Sequence, residues 1–388
     1  MAKDDDRTNK PEEAGKWGTA GKSSGKNNKN GKGKESKTDR RIDKVLQLAA
    51  DRIDTIDSSA SVPERLARAA KSSELLSAVW SLPPAQRLMF HHGMQVTDVE
   101  GDSTPGFDGN KEDAEKFISI SSSEIARYQR LMYANGVKGS TRRLLIVLQG
   151  MDASGKGGIV RHVFSQGDPM GIHYHGFGKP AAEELDHDFL WRVKREVPKA
   201  GWIAVFDRSH YEDVVVTRVH DLIENDKIPK DLVNKNIWKT RYRQIRDWER
   251  YLAENGFHII KIFLHVSKDE QRDRLAERIL NKKKNWKFSI ADINERRFWD
   301  RYQDLYSEMI EETSTEKAPW YIVPADNKWF TRYVVSQIVL KAMKDIAPKF
   351  PEMSKEIKEQ LEEFKKLIES GNIGMIEEMQ DVMKGGNK

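Results

Sequence analysis

Cysteine is absent from the 388 residues of this chain. Disulfide bonds and thiolate chemistry are therefore excluded, and we expect a protein of a reducing compartment. Apolar runs of membrane-spanning length are also missing, and the lysine-rich N-terminus lacks the apolar core of a secretory signal. These absences predict a cytoplasmic protein with no membrane partner.

Outside the first 41 residues the chain carries no net charge. Residues 1–41 hold nine Lys and three Arg against seven Asp and Glu, and this excess accounts for the whole net charge of +5. Because the segment is rich in Gly, Lys, Asn and Ser and has almost no apolar side chain except Trp17, we predict a disordered basic tail. Such a tail can touch polyanions, but a neutral remainder without an RNA-binding aromatic motif argues against nucleic acid as a partner.

The most informative segment runs from Leu144 to Gly158, where the apolar sequence LLIVLQ leads into GMDASGKGG. Gly150 and Gly155 bracket four residues and precede Lys156, a spacing at which successive backbone N–H groups curl around phosphate oxygens. The start of the following helix adds partial positive charge. Since the apolar run is typical of a strand buried on both faces, we predict a phosphate-binding loop between a strand and a helix.

The residue after Lys156 departs from the usual pattern. A Ser or Thr at this position commonly supplies a hydroxyl to Mg²⁺, whereas this chain has Gly157. Asp152, inside the loop, is the obvious replacement because a carboxylate is a good hard ligand for magnesium. A turn-stabilising role for Asp152 is the alternative.

Polar side chains also follow the next apolar run. GWIAVF at 201–206 predicts a second buried strand, which ends at Asp207 and Arg208. Ligands of parallel sheets lie at the carboxyl ends of strands, so Asp207 is placed to reach the metal or the transferred phosphate. Arg208 is suited to a bidentate grip on phosphate oxygens. Two further strands are predicted at 258–266 and 320–323.

A basic segment follows the third of these strands. Ser267 and Glu270 form a predicted capping box that starts a helix, and Arg274 and Arg278 lie four residues apart on one face of it. The density of positive charge predicts a mobile lid over a polyanionic substrate. A solvated basic helix, supported by pairing of Glu270 with Arg274, is the alternative.

These patterns divide the chain after the tail into three parts. Residues 42–135 show apolar spacing typical of helices and are predicted as an N-terminal helical extension. Residues 136–348 alternate helices and strands around the glycine loop, which predicts a P-loop kinase-like, three-layer α/β/α domain with a parallel sheet. Residues 349–388 place apolar side chains at helical spacing among many charges, so we expect C-terminal amphipathic helices.

The histidines do not form a ligand set in the sequence. His173 and His175 are close together, but no third ligand stands at a spacing that supports a zinc site, so none is predicted. His210 and Tyr211 lie beside Asp207, where we expect supporting structure rather than general-base chemistry.

Several longer motifs occur in an order that is typical of one enzyme family. They are GMDASGKGG at 150–158, EELDHDFLWR at 183–192, FDRSHYEDV at 206–214, EQRDRLAER at 270–278, NWKFS at 285–289 and APWYIVPADNKWF at 318–330. The chain resembles the family-2 polyphosphate kinases, which are phosphate-loop enzymes that move phosphate between inorganic polyphosphate and nucleotides. The resemblance covers roughly residues 124–343 and implies that the lid corresponds to about residues 267–299.

The resemblance implies roles for the matching positions. Asp152, Lys156, Asp207 and Arg208 would form the catalytic set, in which the two aspartates bind or organise Mg²⁺ and Lys156 grips the transferred phosphate. The other residues that the resemblance implies for binding polyphosphate or nucleotide phosphates are Arg192, Arg274, Arg278, Lys287 and Lys179, together with Gly150, Ser154, Gly155 and Gly157 of the loop.

We therefore expect Mg²⁺-dependent, reversible phosphoryl transfer between polyphosphate and a purine nucleotide, by direct in-line displacement. The acceptor is AMP, ADP or both, and the resemblance implies a homo-oligomer, either a dimer or a tetramer. An ATP-dependent nucleoside or nucleoside-monophosphate kinase is the alternative, because Asp207 with Arg208 and an arginine-bearing lid also suit that class. A nucleic-acid-binding ATPase is disfavoured by the neutral charge beyond the tail.

Overall fold

The computed structural model describes residues 83–107 and 109–370, so the predictions for the tail and for residues 42–82 lie outside the described part. The strands are β1 (Arg143–Gln149), β2 (Ile172–Gly176), β3 (Ile203–Asp207), β4 (Phe257–His265) and β5 (Trp320–Pro324). The α-helices of the described part are α1 (Pro84–Arg87), α2 (Lys111–Val137), α3 (Lys156–Val163), α4 (Trp191–Lys194), α5 (Glu212–Val219), α6 (Ile237–Glu254), α7 (Lys268–Leu280), α8 (Ile290–Glu295), α9 (Trp299–Thr313), α10 (Lys328–Ile346) and α11 (Lys355–Glu369).

The five strands form one parallel sheet in the order β2-β3-β1-β4-β5. β1 lies at the centre, and its residues from Leu144 to Gln149 are all buried, as a strand covered on both faces requires. The register places Leu148 beside Asp207 and Gln149 beside Phe263. The carboxyl ends of β1, β3 and β4 therefore meet at the same edge of the sheet.

Two groups of helices cover the sheet. α2, α3 and α10 pack against one another in one layer, and α5, α6 and α9 pack against one another in the other. The parallel sheet between these layers confirms the predicted P-loop kinase-like α/β/α fold. The helix that the sequence analysis assigned to an N-terminal extension, α2, packs against α10 and belongs to the first layer.

β2 is the strand that the sequence pattern did not predict. Its sequence IHYHG has no apolar run, and its residues are partly buried or exposed. The reason is its position at the edge of the sheet, where it pairs with β3 alone. Edge strands bury less side-chain surface than central ones, so the hydrophobic signal that identified the other four strands is missing here.

The segment before α2 covers the opposite edge of the sheet. Phe90 N donates to Trp320 O at 2.9 Å, and Ile322 N donates to Leu88 O at 2.9 Å. These bonds pair part of the outer edge of β5, which would otherwise present unpaired backbone groups. The edge of β5 is therefore protected by a piece of chain that precedes the glycine loop.

The C-terminal helix α11 has an apolar face and no buried residue. Ile357, Leu361 and Ile368 are 43%, 51% and 57% exposed. The prediction for residues 371–388 lies outside the described part. Within the described ranges, no helix combines the length and apolar character that crossing a membrane requires.

Candidate active site

The glycine loop, residues 150–155, connects β1 to α3 at the carboxyl edge of the sheet. Gly150 has a φ of 143°, and a Cβ at this position would lie 2.6 Å from Leu264 O of β4. Glycine is therefore required where the loop passes the neighbouring strand. Ala153 also adopts a left-handed backbone, with a φ of 62°. Residues from Asp152 to Gly158 line a cavity of about 600 Å³.

Lys156 is the first residue of α3 and is only 7% exposed. Its Nζ donates to Gly150 O at 2.8 Å and to Met151 O at 3.3 Å. The ammonium group thus lies over the glycine loop, in the wall of the cavity. This places a compact positive charge where the sequence predicts the transferred phosphate.

Asp152 and Asp207 reach the same cavity from the ends of β1 and β3. The Arg208 guanidinium donates to Asp152 Oδ1, and the Tyr174 hydroxyl donates to Asp207 Oδ2 at 3.2 Å. Arg208 has a left-handed backbone with a φ of 65°, and its N–H donates to Leu148 O at 3.0 Å. The geometry thus brings the four predicted catalytic residues together.

Glu212, the first residue of α5, is a neighbour of this set that the sequence analysis did not single out. Burial raises the pKa of its carboxyl, although the positive charges of Arg208 and Lys156 act to lower it. Its position in the first turn of the helix that follows Asp207 and Arg208 was the available signal. An acidic residue in that turn also interacts favourably with the helix dipole.

His210 and Tyr211 are anchored in the core, in agreement with the expected supporting role. Both side chains are fully buried, and Tyr211 OH donates to Glu249 Oε1 at 2.7 Å. Lys261, in the middle of β4, donates from Nζ to Glu249 Oε2 at 2.6 Å and to Tyr211 OH at 2.9 Å. This buried ion pair ties the chain just after Arg208 to the centre of the sheet.

Arg274, on α7, is 7% exposed and bonds through all five of its donors. Its Nε donates to Glu270 Oε1 at 2.7 Å. Its terminal nitrogens donate to four backbone carbonyls, those of Ala153 (2.9 Å), Ser154 (3.1 Å), Ala325 (2.6 Å) and Asp326 (2.9 Å). Arg274 lines the cavity, as a phosphate-binding residue must, and these bonds also make it a clamp between the glycine loop and the loop after β5.

The predicted capping box at the start of α7 is formed only in half. Ser267 Oγ accepts from Glu270 N at 3.2 Å, as expected. The Glu270 carboxylate, however, pairs with Arg274, and Ser267 N donates instead to Asp326 Oδ1 at 2.8 Å. The long-range partner Asp326 thus does what a local glutamate does in a complete box.

The predicted lid supplies several cations to the cavity wall. Arg278, Lys284 and Lys287 line it, and Arg278 also pairs with Asp292 at 2.5 Å. Burial, and then the charges of Arg161 and Arg278, lower the pKa of Lys287. Further cations of the wall, which the sequence analysis did not identify, are Arg161, Lys328 and Arg332. Positive charges this close together repel one another unless an anion lies between them.

Arg192 and Lys179 lie beside the cavity rather than in its lining. Arg192 donates from a terminal nitrogen to Gly178 O at 2.9 Å, and its guanidinium stacks over Phe177 at 5.2 Å. Since Gly178 and Phe177 do line the cavity, Arg192 supports the wall. Lys179 is exposed next to them. Ser154, Gly155 and Gly157 are part of the lining, as predicted.

A comparison with known protein families identifies the family of this chain. The protein-family model described as Polyphosphate kinase 2 (PPK2) matches residues 109–351 of this chain. These residues include the whole sheet and every residue of the cavity. The chain belongs to the polyphosphate kinase 2 family. The resemblance found in the motifs is thereby confirmed.

Curated relatives and solved structures agree with the family match. The AMP/ADP-polyphosphate phosphotransferase of Meiothermus ruber is 44% identical over 66% of this chain and 91% of that protein. The ADP-polyphosphate phosphotransferase of Rhodopseudomonas palustris is 43% identical over 63% of this chain and 83% of that protein. The crystal structure of polyphosphate kinase 2 from Arthrobacter aurescens TC1 superposes with a TM-score of 0.67 at 40% identity, covering 73% of this chain and 97% of that one.

Proposed function

We propose that this polyphosphate kinase 2 family member transfers phosphoryl groups reversibly between inorganic polyphosphate and a purine nucleotide. The observation that carries the proposal is one cavity that combines the glycine loop and Lys156 with the carboxylates Asp152 and Asp207 and a wall of Arg and Lys side chains. The names of the relatives support the same substrates.

The cationic wall reduces the electrostatic repulsion between the two substrates of this reaction. Both substrates are polyanions, and two unit charges 4 Å apart repel by about 4 kcal/mol at an effective dielectric constant of about 20. Burial and then nearby positive charge, from Arg161, lower the pKa of Arg332, and burial and then Arg274 lower that of Lys328. Bound polyphosphate places negative charge between these cations and so reduces the repulsion among them. The positive charge of the wall therefore favours the binding of polyphosphate.

The transfer itself needs no covalent enzyme intermediate. An oxygen of the acceptor's terminal phosphate attacks the terminal phosphorus of polyphosphate, while the bond from that phosphorus to the bridging oxygen breaks. The polyphosphate chain, shorter by one phosphate, leaves with the electron pair. Because one phosphoanhydride is exchanged for another, the step runs in both directions, and alignment and charge neutralisation are what the protein supplies.

We propose that Asp152 and Asp207 bind Mg²⁺. Their carboxylate oxygens are the hard donors that this ion prefers, and they compensate for the hydroxyl that is missing at Gly157. When bound, Mg²⁺ neutralises phosphate charge during the transfer. In the protein, Tyr174 orients Asp207 and Arg208 orients Asp152 through the bonds described above.

The function is tested by product analysis. We expect incubation with long-chain polyphosphate and Mg²⁺ to convert ADP to ATP and AMP to ADP, with GDP as a probe of base preference. Chelation of Mg²⁺ should stop every conversion. If nucleotides gained phosphate only when ATP replaced polyphosphate, the protein would be an ordinary nucleotide kinase, and the proposal would fail.

Replacing Asp207 by Asn is expected to raise the half-saturating Mg²⁺ concentration by about 10- to 100-fold or more. Loss of an outer-shell partner already costs a metal site that much affinity, and a direct ligand costs at least as much. Initial rates across a Mg²⁺ titration provide the measurement. Tyr174→Phe, which removes only the hydroxyl that donates to Asp207, is the matched control and should give a smaller shift. Equal Mg²⁺ dependence in Asp207→Asn and the parent would exclude Asp207 as a ligand.

A further inference from the structure

A second group of metal-ligating side chains lies on β2. Successive side chains of a strand point to opposite faces, so His173 and His175 share the face opposite to Tyr174. His173 Nε2 lies 2.8 Å from Glu196 Oε2, and His175 Nδ1 lies 3.1 Å from the same oxygen. Tyr174 faces the cavity. The histidine cluster is therefore separate from the site already described.

The geometry of the three side chains suits a tetrahedral ion. One ligand atom from each residue lies within 4.8 Å of the other two. Zinc bonds of about 2.0–2.2 Å place tetrahedral ligand atoms about 3.3 Å apart, close to the 2.8 Å and 3.1 Å between the Glu196 oxygen and the two imidazole nitrogens. His173, His175 and Glu196 are 38%, 34% and 25% exposed, so an ion can reach them from solvent.

We propose that His173, His175 and Glu196 bind Zn²⁺, with solvent completing the coordination. Two imidazoles and one carboxylate are a donor set of zinc, whereas Mg²⁺ and Ca²⁺ favour oxygen ligands throughout. The chain has no cysteine, so no thiolate competes for the ion. Sequence spacing alone did not find the site because Glu196 lies after α4 and reaches β2 only through the fold.

Zinc at this position would restrain one wall of the cavity. The His175 ring packs against Phe177, with 4.3 Å between centroids. Phe177 lines the cavity, and its N–H donates to Asp207 O at 2.9 Å. An ion held by β2 and Glu196 thus fixes the edge strand next to Asp207. We expect it to raise the melting temperature, because a ligand that binds only the folded state stabilises that state.

The test is zinc titration of the untagged full chain after removal of metals, with a chromophoric chelator as competitor. The titration uses an Asp152→Asn background, so that the proposed magnesium ligands do not dominate. We expect one equivalent of tight zinc, and a loss of about 100-fold or more in affinity for His173→Ala/His175→Ala. His187→Ala is the matched control, since His187 stacks on Trp191 and belongs to no cluster with Glu196.

Cobalt provides a second readout. Co²⁺ added to the same background should give visible absorption typical of a tetrahedral nitrogen and oxygen site, and Glu196→Gln should weaken it. Circular dichroism of each variant separates lost binding from lost folding, and the single histidine variants serve if the double variant does not fold. Zinc affinity that is equal in the parent background and in the folded histidine variants would overturn the proposal. So would zinc binding to the wild-type chain that is lost in the Asp152→Asn background.

Discussion

Replacing Lys156 by Met is expected to lower kcat by about 10²- to 10³-fold, the usual loss when a preorganised group that stabilises transition-state charge is removed. Methionine keeps most of the apolar stem and removes only the ammonium. The effect should fall on kcat rather than on KM, because the charge that develops on the transferred phosphoryl group is present only in the transition state. Steady-state rates with saturating polyphosphate and nucleotide provide the measurement.

The matched control for Lys156→Met is Lys287→Met. Lys287 also lines the cavity, but it is exposed and belongs to the lid. It holds bound polyphosphate in our proposal, so its loss should raise KM for polyphosphate while kcat changes little. Thermal unfolding of both variants separates lost catalysis from lost folding. A Lys156→Met enzyme with kcat within a few-fold of the parent would contradict the proposed role.

Replacing Arg274 by Met is expected to cost about 1–3 kcal/mol of unfolding free energy, the penalty for leaving buried hydrogen-bonding groups without a partner. The substitution removes the nearer of the two charged partners of Glu270 and deprives four backbone carbonyls of a donor. Buried polar groups that lose their partner are costly because water no longer reaches them. Denaturant unfolding measures the change.

The same substitution should reduce activity even in molecules that are folded. Arg274 fixes the carbonyls of Ala153 and Ser154, so its loss frees the glycine loop that carries the phosphate-binding N–H groups. Arg272→Met is the matched control on α7, because Arg272 makes only surface pairs with Asp269 and Asp273. Such pairs are worth about 0–1 kcal/mol. Equal losses of stability in the two variants would show that Arg274 is not the clamp we describe.

The central part of the fold was predictable because buried strands appear in the sequence as apolar runs. β1, β3 and β5 contain continuous apolar runs, β4 is an apolar run interrupted by Lys261, and the polar residues at the ends of β1 and β3 were expected to meet. Asp152 and Asp207 do line one cavity. This success depends on a general property of parallel sheets, whose carboxyl ends lie at the same edge.

Contacts between distant segments were not predictable in the same way. Arg274 bonds to backbone carbonyls more than a hundred positions earlier, and a backbone carbonyl carries no sequence signature. Its charge and the family resemblance predicted a phosphate-binding role, but neither could predict these contacts with the backbone. Glu196 was overlooked for a similar reason, since its approach to His173 and His175 depends on how α4 returns to the edge of the sheet.

The position of β2 has an evolutionary consequence. A central strand touches two neighbours, so a substitution there must satisfy both, whereas a change on β2 disturbs β3 alone. Its two faces also carry different groups, because one presents Tyr174 to Asp207 and the other presents the histidines. A lineage can therefore gain or lose a ligand on the histidine face by single mutations that reach the catalytic face only indirectly, through Phe177.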